Sequence, residues 1–299
     1  MINADACVLA VDAGGTFLKA VLMRKNCTAV EGSFIRTAVD SQGSADTIRT
    51  AYTQLAALGC QKAKALGLTL SAIGICIPGP FNYKGGYSLM THKYAAIKEM
   101  PMRPWLKDGA GELPVIFLHD ANAFLLGASR GVESRRIAGV TIGTGLGFAV
   151  MINGDLLKDE RGGPGISIFS RPFKESTSEG YVSRKALLAR YRELCGYSTD
   201  GLDLYDIGLL AEKGEKNAVL LHREMGQNLA AILHDILLEN EIECLLLGGA
   251  VSKSAPLFLP QLRDGLSDLP LLETVRPAKD IDIAPLMGAA QAAFDELKL

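Results

Sequence analysis

Two segments of the chain share one order of features: an apolar run, a short glycine-rich turn that carries a threonine, and a second apolar run. The first is VLAVDAGGTFLKAVLM at residues 8–23, and the second is VTIGTGLGFAVMING at residues 140–154. Apolar runs on both sides of a tight turn predict pairs of buried strands. A plain β-hairpin is one interpretation of each segment, because glycine supplies the positive φ angles that tight turns need.

The other interpretation is that the two turns face each other and bind one polyphosphate. Glycine lets backbone N–H groups approach anionic oxygens, and each threonine hydroxyl adds a donor. Because phosphates concentrate negative charge, we expect Asp12 to hold Mg²⁺ through water. Lys19 either adds positive charge near the phosphates or is a solvated lysine. The predicted phosphate-binding residues of the two turns are Asp12, Gly14, Gly15, Thr16, Lys19, Gly143, Thr144, Gly145 and Gly147.

A third glycine turn follows the apolar strand in LLLGGAV, residues 245–251. Gly248, Gly249 and Ala250 stand where a strand passes into a helix, and a flat ring or a phosphate can approach the backbone closely at such a turn. A Gly-Gly pair after a strand is a simple turn as often as it is a ligand site. We therefore add these three residues to the predicted nucleotide site because they accompany the other two turns.

The 299 residues alternate apolar strands with segments of helical periodicity, which predicts an α/β fold. A chain of this length is expected to form two domains. Residues 81–112 are predicted to be a long connection, and His222 and His234 are expected to face solvent or a partner. The longer helices are predicted over residues 43–68, 183–195, 203–213, 215–239 and 287–298.

Composition excludes several classes of function. The formal net charge is −2, so the chain has no general attraction for nucleic acid or anionic membranes, and we expect neither partner. No two of the six cysteines have Cys-x-x-Cys spacing, which argues against a zinc site. Cysteines in apolar stretches and an N-terminus without a basic signal region predict a cytoplasmic protein.

The segment FLHDANAFLLGASRG, residues 117–131, places His119 and Asp120 at the end of an apolar strand and the start of a helix. Aspartate is a favoured N-cap, which is one role for Asp120. A carboxylate at the carboxyl end of a strand in an α/β sheet also suits a general base that takes a proton from an attacking hydroxyl. Both roles remain open at this point. Asn122 either caps the helix or contacts substrate, and we favour the cap.

The order of motifs along the chain resembles that of the ROK family of sugar kinases, which belongs to the actin/Hsp70/hexokinase superfamily. The resemblance rests on Asp12–Thr16, the Pro-Gly-Pro segment at 78–80, Asp120–Ala123, Gly143–Gly147 and Gly248–Ala250. It implies two actin-like (ribonuclease H-like) domains around a hinged cleft with ATP and Mg²⁺, an aspartate base at Asp120, and a homodimer. The domains implied are 1–118 and 119–286, with a C-terminal helix of about 287–299 packed back onto the first.

The region 161–187 departs from the family pattern. The Gly-Glu-x-Gly-His segment and the zinc-binding cysteine loop that many family members carry are both missing from this chain. Glu179, in Glu179-x-Tyr181-x-Ser183, matches the Glu-x-Tyr-x-Ser that follows the zinc loop in the family. It is therefore either a sugar contact or an exposed loop carboxylate.

Other candidate substrate contacts follow from the same resemblance. His119 stands where the family often has asparagine, and Gly79 belongs to the Pro-Gly-Pro motif. His92, Lys93 and Tyr94 lie where family members place a sugar-contacting asparagine loop. A lysine there suits a carboxylate or phosphate on the substrate, although a solvated lysine is the commoner case.

The sequence thus predicts a kinase that transfers phosphate from ATP to a hydroxyl of a hexose, an amino sugar or a glycoside, with Asp120 as general base. A sugar- or nucleotide-sensing protein without turnover is the alternative, and a nucleotide hydrolase is a further one. The repressor branch of the family is set aside, because only eleven residues precede Asp12 and a DNA-reading module needs more.

Overall fold

The computed structural model describes residues 5–199 and 201–297, and it confirms the predicted α/β class. The strands are β1 (Ala6–Ala13), β2 (Phe17–Met23), β3 (Ile35–Ala38), β4 (Thr69–Ile77), β5 (Phe81–Asn82), β6 (Tyr87–Ser88), β7 (Val115–His119), β8 (Arg136–Ile142), β9 (Leu146–Ile152), β10 (Asp155–Leu156), β11 (Pro172–Phe173), β12 (Ser176–Thr177), β13 (Cys244–Gly248) and β14 (Thr274–Pro277). The helices are α1 (Ala45–Ala65), α2 (Arg103–Ala110), α3 (Asp120–Ala128), α4 (Glu179–Val182), α5 (Arg184–Cys195), α6 (Leu204–Glu212), α7 (Lys216–Glu239), α8 (Ala255–Asp264) and α9 (Ala284–Glu296).

The chain divides into two compact units. The first contains residues 5–130, Lys158–Pro164 and 283–297, and the second contains Gly131–Leu157 and Gly165–Asp282. Residues 119–130 therefore lie in the first unit, whereas the division implied by the family resemblance begins the second domain at residue 119. Among the described residues, every helix is too short or too polar to span a bilayer.

Both units contain a five-stranded sheet with the same arrangement of strand directions. The order is β3-β2-β1-β4-β7 in the first unit and β10-β9-β8-β13-β14 in the second. In each sheet an antiparallel meander of three strands is followed by two strands parallel to the first of them. Because parallel strands end at the same edge, each sheet gathers the chain segments that follow these strands at its carboxyl edge.

The strand β1 is buried on both faces. Cys7, Leu9 and Val11 belong to the core shared with α1, whereas Val8 and Ala10 belong to the core shared with α9. Successive side chains of a strand point to opposite faces, so a strand covered by helices on both sides needs an uninterrupted apolar run. The apolar residues 6–11 of β1 meet this requirement.

The C-terminal helix α9 is seated on α3 and β4 by close backbone contacts. A Cβ at Gly288 would lie 1.9 Å from the carbonyl oxygen of Ala123, and a Cβ at Gly74 would lie 2.1 Å from that of Ala289. Side chains at these positions are therefore excluded by backbone atoms that cannot move aside. The helix begins at Ala284, three residues before its predicted start, and the predicted residues 298 and 299 lie outside the described part of the chain.

We expect Gly288→Ala to lower the free energy of unfolding by about 2–4 kcal/mol, because the new methyl group forces α9 away from α3. Urea unfolding followed by the fluorescence of Trp105, the sole tryptophan, which is buried in the first unit, measures this loss. Glu296→Ala, an exposed change on the same helix, serves as the control and should stay close to the wild type. Equal stability of Gly288→Ala and wild type would contradict the close packing of the two helices.

Several elements were not expected from the sequence, among them one helix and one edge strand of a five-stranded sheet. The helix α2 lies within residues 81–112, which were predicted to be a connection, and it packs against α1. Its eight residues include a proline and a glycine, too short and too interrupted a pattern for helical periodicity to stand out. The edge strand β14 has only four residues and ends in proline, so it is too short to show the alternation of apolar and polar residues that predicts a strand.

The expectation that His222 faces solvent or a partner is wrong. Its side chain is buried on α7, and Nδ1 lies 2.8 Å from the carbonyl oxygen of Ala218 one turn earlier, which satisfies the ring inside the core. Burial lowers the pKa of His222. His234 is more accessible, and its pKa is raised by hydrogen bonds to Asp235 and Asp268.

The pKa values of His222 and His234 should therefore lie on opposite sides of the ordinary histidine value of 6.5. We expect NMR of ¹³C-labelled histidine to give a midpoint above 6.5 for His234, because its protonated form is paired with carboxylates, and below 6.5 for His222, because its charged form is desolvated. Asp268→Asn should lower the His234 midpoint and leave that of His222 unchanged. Coincident midpoints would contradict the two environments.

Candidate functional site

The carboxyl edge of the first sheet brings two acidic residues together. In the strand register, Asp12 at the end of β1 lies opposite Cys76 on β4, and Ile77 on β4 lies opposite His119 on β7. Asp120 follows directly as the first residue of α3. Since neighbouring strands are about 4.8 Å apart, three parallel strands are enough to align the two carboxylates along one edge.

Asp120 is held by its two neighbours in the chain. Its Oδ1 accepts a hydrogen bond from the Ala121 N–H at 2.7 Å and lies 2.8 Å from Nδ1 of His119, which itself is 3.1 Å from the Ala121 nitrogen. A protonated Nδ1 donates to Asp120, whereas an unprotonated Nδ1 accepts from Ala121. The Asp120 side chain is 46% exposed, so a second molecule can reach the carboxylate.

The two carboxylates differ in their acidity. The surrounding protein displaces part of the water around Asp120, which acts to raise its pKa. The charge and hydrogen bond of His119, the Ala121 N–H and the charge of Lys93 outweigh this effect and hold the pKa below its ordinary value. Asp12 shows the opposite result. Burial raises its pKa, and the charge of Asp120 adds to this increase, while Lys19 on the adjacent strand opposes it.

Asp12 suits a magnesium ion that keeps most of its waters. No group of three His, Cys, Asp or Glu side chains within residues 5–199 and 201–297 is arranged to hold a metal. Mg²⁺ at a nucleotide takes one or two carboxylates together with phosphate oxygens and water, so a full protein cage is not required. A cation beside Asp12 would also relieve the repulsion from Asp120 that raises its pKa. The residues present therefore fit hydrated Mg²⁺.

In the first glycine turn, the carbonyl oxygens accept hydrogen bonds from the protein, whereas two N–H groups do not donate to it. The carbonyl oxygens of Gly14, Gly15 and Thr16 accept hydrogen bonds from the Tyr94 hydroxyl, the Ser41 N–H and the Val39 N–H, respectively. Within the described residues, the N–H groups of Gly15 and Thr16 donate to no protein acceptor. Two free donors in an otherwise satisfied turn are what an anion-binding turn requires.

The second turn, in the other unit, shows the same division. The Gly143 carbonyl accepts a hydrogen bond from Arg184 N–H at 2.8 Å, and the Gly143 N–H donates to the Gly145 carbonyl at 3.0 Å. The N–H groups of Thr144 and Gly145 have no acceptor in the described part of the chain. The remaining predicted residue, Gly147, lies in β9 opposite Thr141.

Glu179 supports this second turn. Its Oε2 accepts a hydrogen bond from Leu146 N–H at 2.9 Å, and a Cβ at Gly145 would lie 2.8 Å from the same oxygen. Glu179 is half-buried at the start of α4, so its interpretation as an exposed loop carboxylate is wrong. One carboxylate oxygen is committed to the turn, and the contact to a sugar stays a prediction.

The third turn lies against the second. Gly249 has a φ of 80°, and a Cβ there would lie 2.4 Å from the carbonyl oxygen of Ile142, the residue just before Gly143. The Ser252 hydroxyl closes the turn by donating to the Gly248 carbonyl at 2.6 Å. Gly248, Gly249 and exposed Ala250 are thus gathered with the second turn at the carboxyl edge of the second sheet.

Among the candidate substrate contacts, Gly79 and His119 are neighbours. A Cβ at Gly79 would lie 3.4 Å from the His119 ring, which also stands edge-on to Tyr83 with ring centroids 5.9 Å apart. His92 is exposed, and its carbonyl accepts a hydrogen bond from the Gln42 amide. Tyr94 is fully buried and has its hydroxyl on Gly14, so it positions the first turn and does not contact substrate as suggested from the sequence.

Sequence reasoning missed the residues that support the first turn. Tyr94 is 80 residues from Gly14 along the chain, and its hydroxyl also lies 3.4 Å from that of Tyr52. Ser41 contacts Gly15 through its N–H, and its Oγ would lie 3.0 Å from a Cβ at that glycine. No local motif predicts such contacts, because they form only when loops distant in the sequence fold onto the turn.

The role favoured for Asn122 is also wrong. The side chain that caps α3 is His119, which accepts from Ala121 N–H. Asn122 is fully buried in the first turn of the helix, and neither its Nδ2 nor its Oδ1 has a hydrogen-bond partner within residues 5–199 and 201–297.

The ROK family model matches residues 8–167 and 172–296 of the chain. The chain belongs to the ROK family. This confirms the resemblance found in the five motifs, which together span nearly all of the sequence.

Individual ROK proteins show how far the likeness extends. The chain is 26% identical over 297 residues to an N-acetylmannosamine kinase of Salmonella heidelberg (strain SL476), covering 95% of this chain and 97% of that protein. A ROK family glucokinase from Streptomyces griseus, solved with glucose and AMPPNP, has a TM-score of 0.79 at 23% identity and covers 97% of this chain and 99% of its own. A ROK family transcriptional regulator, a homologue of the E. coli MLC protein, has a TM-score of 0.83 at 18% identity, covering 99% of this chain and 80% of its own. The fold is therefore that of both ROK kinases and ROK regulators.

We expect Asn122→Leu to leave the free energy of unfolding unchanged or to raise it. An unpaired buried amide costs about 1–3 kcal/mol, and leucine has the same branched shape without polar atoms. Asn122→Ala is the matched comparison and should be less stable than Asn122→Leu, because it leaves a cavity. Urea unfolding followed by Trp105 fluorescence gives both values, and a marked loss in Asn122→Leu would show that the amide is hydrogen-bonded in solution.

Proposed function

We propose that this chain is an ATP-dependent sugar kinase with Asp120 as its general base. The observation that carries this proposal is an accessible carboxylate with a lowered pKa, at the same sheet edge as a turn with two N–H groups that have no acceptor among the described residues. Its membership of the ROK family supports the same activity. The acceptor we propose is a hexose, an amino sugar or a glycoside, with N-acetylmannosamine the first to test because relatives at 26% identity carry that name.

Each glycine turn would bind nucleotide phosphate through its own backbone. Each supplies two N–H donors, and Thr16 and Thr144 are exposed and add hydroxyl groups. Backbone donors fixed by the surrounding hydrogen bonds need no reorganisation when charge develops on the leaving phosphate. Mg²⁺ beside Asp12 would neutralise phosphate charge when it is bound. The nucleotide analogue AMPPNP in the Streptomyces griseus glucokinase structure supports ATP as the donor.

Asp120 would orient and deprotonate the acceptor. The sugar hydroxyl oxygen forms a bond to the γ-phosphorus, the bond from that phosphorus to the bridging oxygen of ADP breaks, and the hydroxyl proton passes to Asp120. Phosphoryl transfer has a loose transition state, so the acceptor needs little activation until late and a base of low pKa is sufficient. Because the pKa of Asp120 is held below its ordinary value, the group is a carboxylate at neutral pH.

A sugar- or nucleotide-sensing protein without turnover is a second candidate. It is favoured by the commitment of one Glu179 oxygen to the second turn, which leaves fewer groups to bind sugar. The likeness in fold to a ROK regulator is compatible with it. As further proposals drawn from the family and from the net charge of −2, we place the protein in the cytoplasm as a homodimer, without nucleic-acid or membrane partners.

Asp120→Asn should reduce kcat with the best sugar by roughly 10²-fold or more, because the amide cannot accept the hydroxyl proton. A coupled assay of ADP release over a panel of sugars measures this effect, and calorimetry with ATP should show a nearly unchanged Kd. Asp108→Asn is the matched control, since Asp108 is an exposed carboxylate paired with Arg49.

The outcomes of this assay separate the candidates. Wild-type turnover by Asp120→Asn would refute its role as base. Sugar-independent ADP release by the wild type would indicate a hydrolase, and nucleotide binding without any ADP release would favour the sensor.

A further inference from the structure

Lys93 lies in a segment that hydrogen bonds hold on both sides, to the first glycine turn and to the nearby residues Ser41 and Gln42. The Tyr94 hydroxyl donates to the Gly14 carbonyl, and the Tyr94 N–H donates to the Ser41 carbonyl at 2.7 Å. On the other side, the Gln42 amide donates to the His92 carbonyl. Tyr94 itself is fully buried with a φ of 53°, a left-handed conformation that fixes the direction in which the chain leaves Lys93.

The Lys93 side chain lies against the first glycine turn. Its Cδ would lie 3.9 Å from a Cβ at Gly15, so the aliphatic stem passes over the turn. Its charge acts on the Asp120 carboxylate strongly enough to contribute to the lowered pKa. Lys93 is half-buried, and its ammonium group makes no hydrogen bond or ion pair within the described residues. The side chain therefore holds a positive charge near the base with its donors unused.

We propose that Lys93 binds the γ-phosphoryl group of the nucleotide during transfer and is a catalytic residue, in place of the sugar contact suggested by its position in the sequence. This inference rests on the proposed kinase function. In an in-line transfer the moving phosphoryl group lies between the leaving phosphate, at the turn, and the acceptor hydroxyl, at the base. Lys93 lies against Gly15, and its ammonium group has no partner among the described residues, so it is available to bind that group.

The chemistry of lysine suits this position. The loose transition state spreads negative charge over the three equatorial oxygens of the transferring group, and an ammonium ion with three donors can follow them as the group moves. Such a contact is made with the γ-phosphoryl group of ATP and not with ADP. The Lys93 contact should therefore make the protein bind ATP more tightly than ADP. Where the contact strengthens in the transition state, it also raises kcat.

The test compares ATP with ADP binding in the presence of Mg²⁺ by calorimetry, for wild type, Lys93→Met, Lys93→Arg and the control Lys98→Met. Lys98 is an exposed lysine five residues further along the same segment. We expect Lys93→Met to weaken ATP binding about tenfold and to leave ADP binding unchanged, since an ion contact to phosphate is lost. Lys93→Arg should restore part of the preference, and Lys98→Met should match the wild type.

Kinetics provide the second measurement. Lys93→Met should lower kcat by roughly 10²-fold or more with little change in KM for the sugar, and the acid limb of its pH profile should move to higher pH, because Asp120 loses a positive neighbour. Equal losses of ATP and ADP binding, or a raised KM confined to acidic sugars, would overturn the proposal. A wild type that binds neither nucleotide would overturn the kinase function as well, whereas ATP binding that is insensitive to Lys93→Met overturns this inference alone.

Discussion

The register of three parallel strands is the constraint on which the candidate site of the first unit depends. Asp12, the end of β4 and the His119–Asp120 pair are aligned only because β1, β4 and β7 end at one edge. A slip of one residue would turn each of these side chains to the other face of the sheet. The contacts of α9 at Gly74 and Gly288 leave no room for such a slip, since the helix and the strand meet through their backbones.

A second principle is common to both units. In each glycine turn, carbonyl oxygens accept hydrogen bonds, whereas two successive N–H groups have no acceptor in the part of the chain that the structure describes. In the first unit the carbonyl oxygens accept from a tyrosine hydroxyl and two backbone N–H groups. In the second unit the Gly143 carbonyl accepts from Arg184 N–H, and the Glu179 carboxylate accepts from Leu146 N–H beside the turn. The similarity lies in the hydrogen-bond balance of the turn, because the supporting residues differ in chemistry and in their place in the chain.

Much of the fold was predictable because it is written in short-range patterns. The strands around both glycine turns, the long helices α1 and α7, and the strand-to-helix passage at Asp120 all follow from apolar periodicity and turn residues. The helix α2 was not predictable, since its eight residues include a proline and a glycine. Within the site, the acidic residues and glycines were recognisable by type. The sequence offered Asp120 and Asn122 as caps of α3, because it does not show that His119 can reach Ala121. The positions of Tyr94 and Glu179 depend on contacts between distant segments, so no local pattern revealed them.

The free N–H groups of the two turns belong to the main chain, and this has an evolutionary consequence. Every amino acid except proline carries the same amide donor, so exchange of a side chain in the turn does not delete the donor itself. Selection on such a binding turn therefore acts on its backbone conformation. That conformation depends on the glycines and on residues that hydrogen-bond to the turns or beside them, such as Ser41, Tyr94 and Glu179. Inactivating variants in a natural population should accordingly include bracing residues that never touch a ligand, and these would be overlooked in a search confined to the cavity wall.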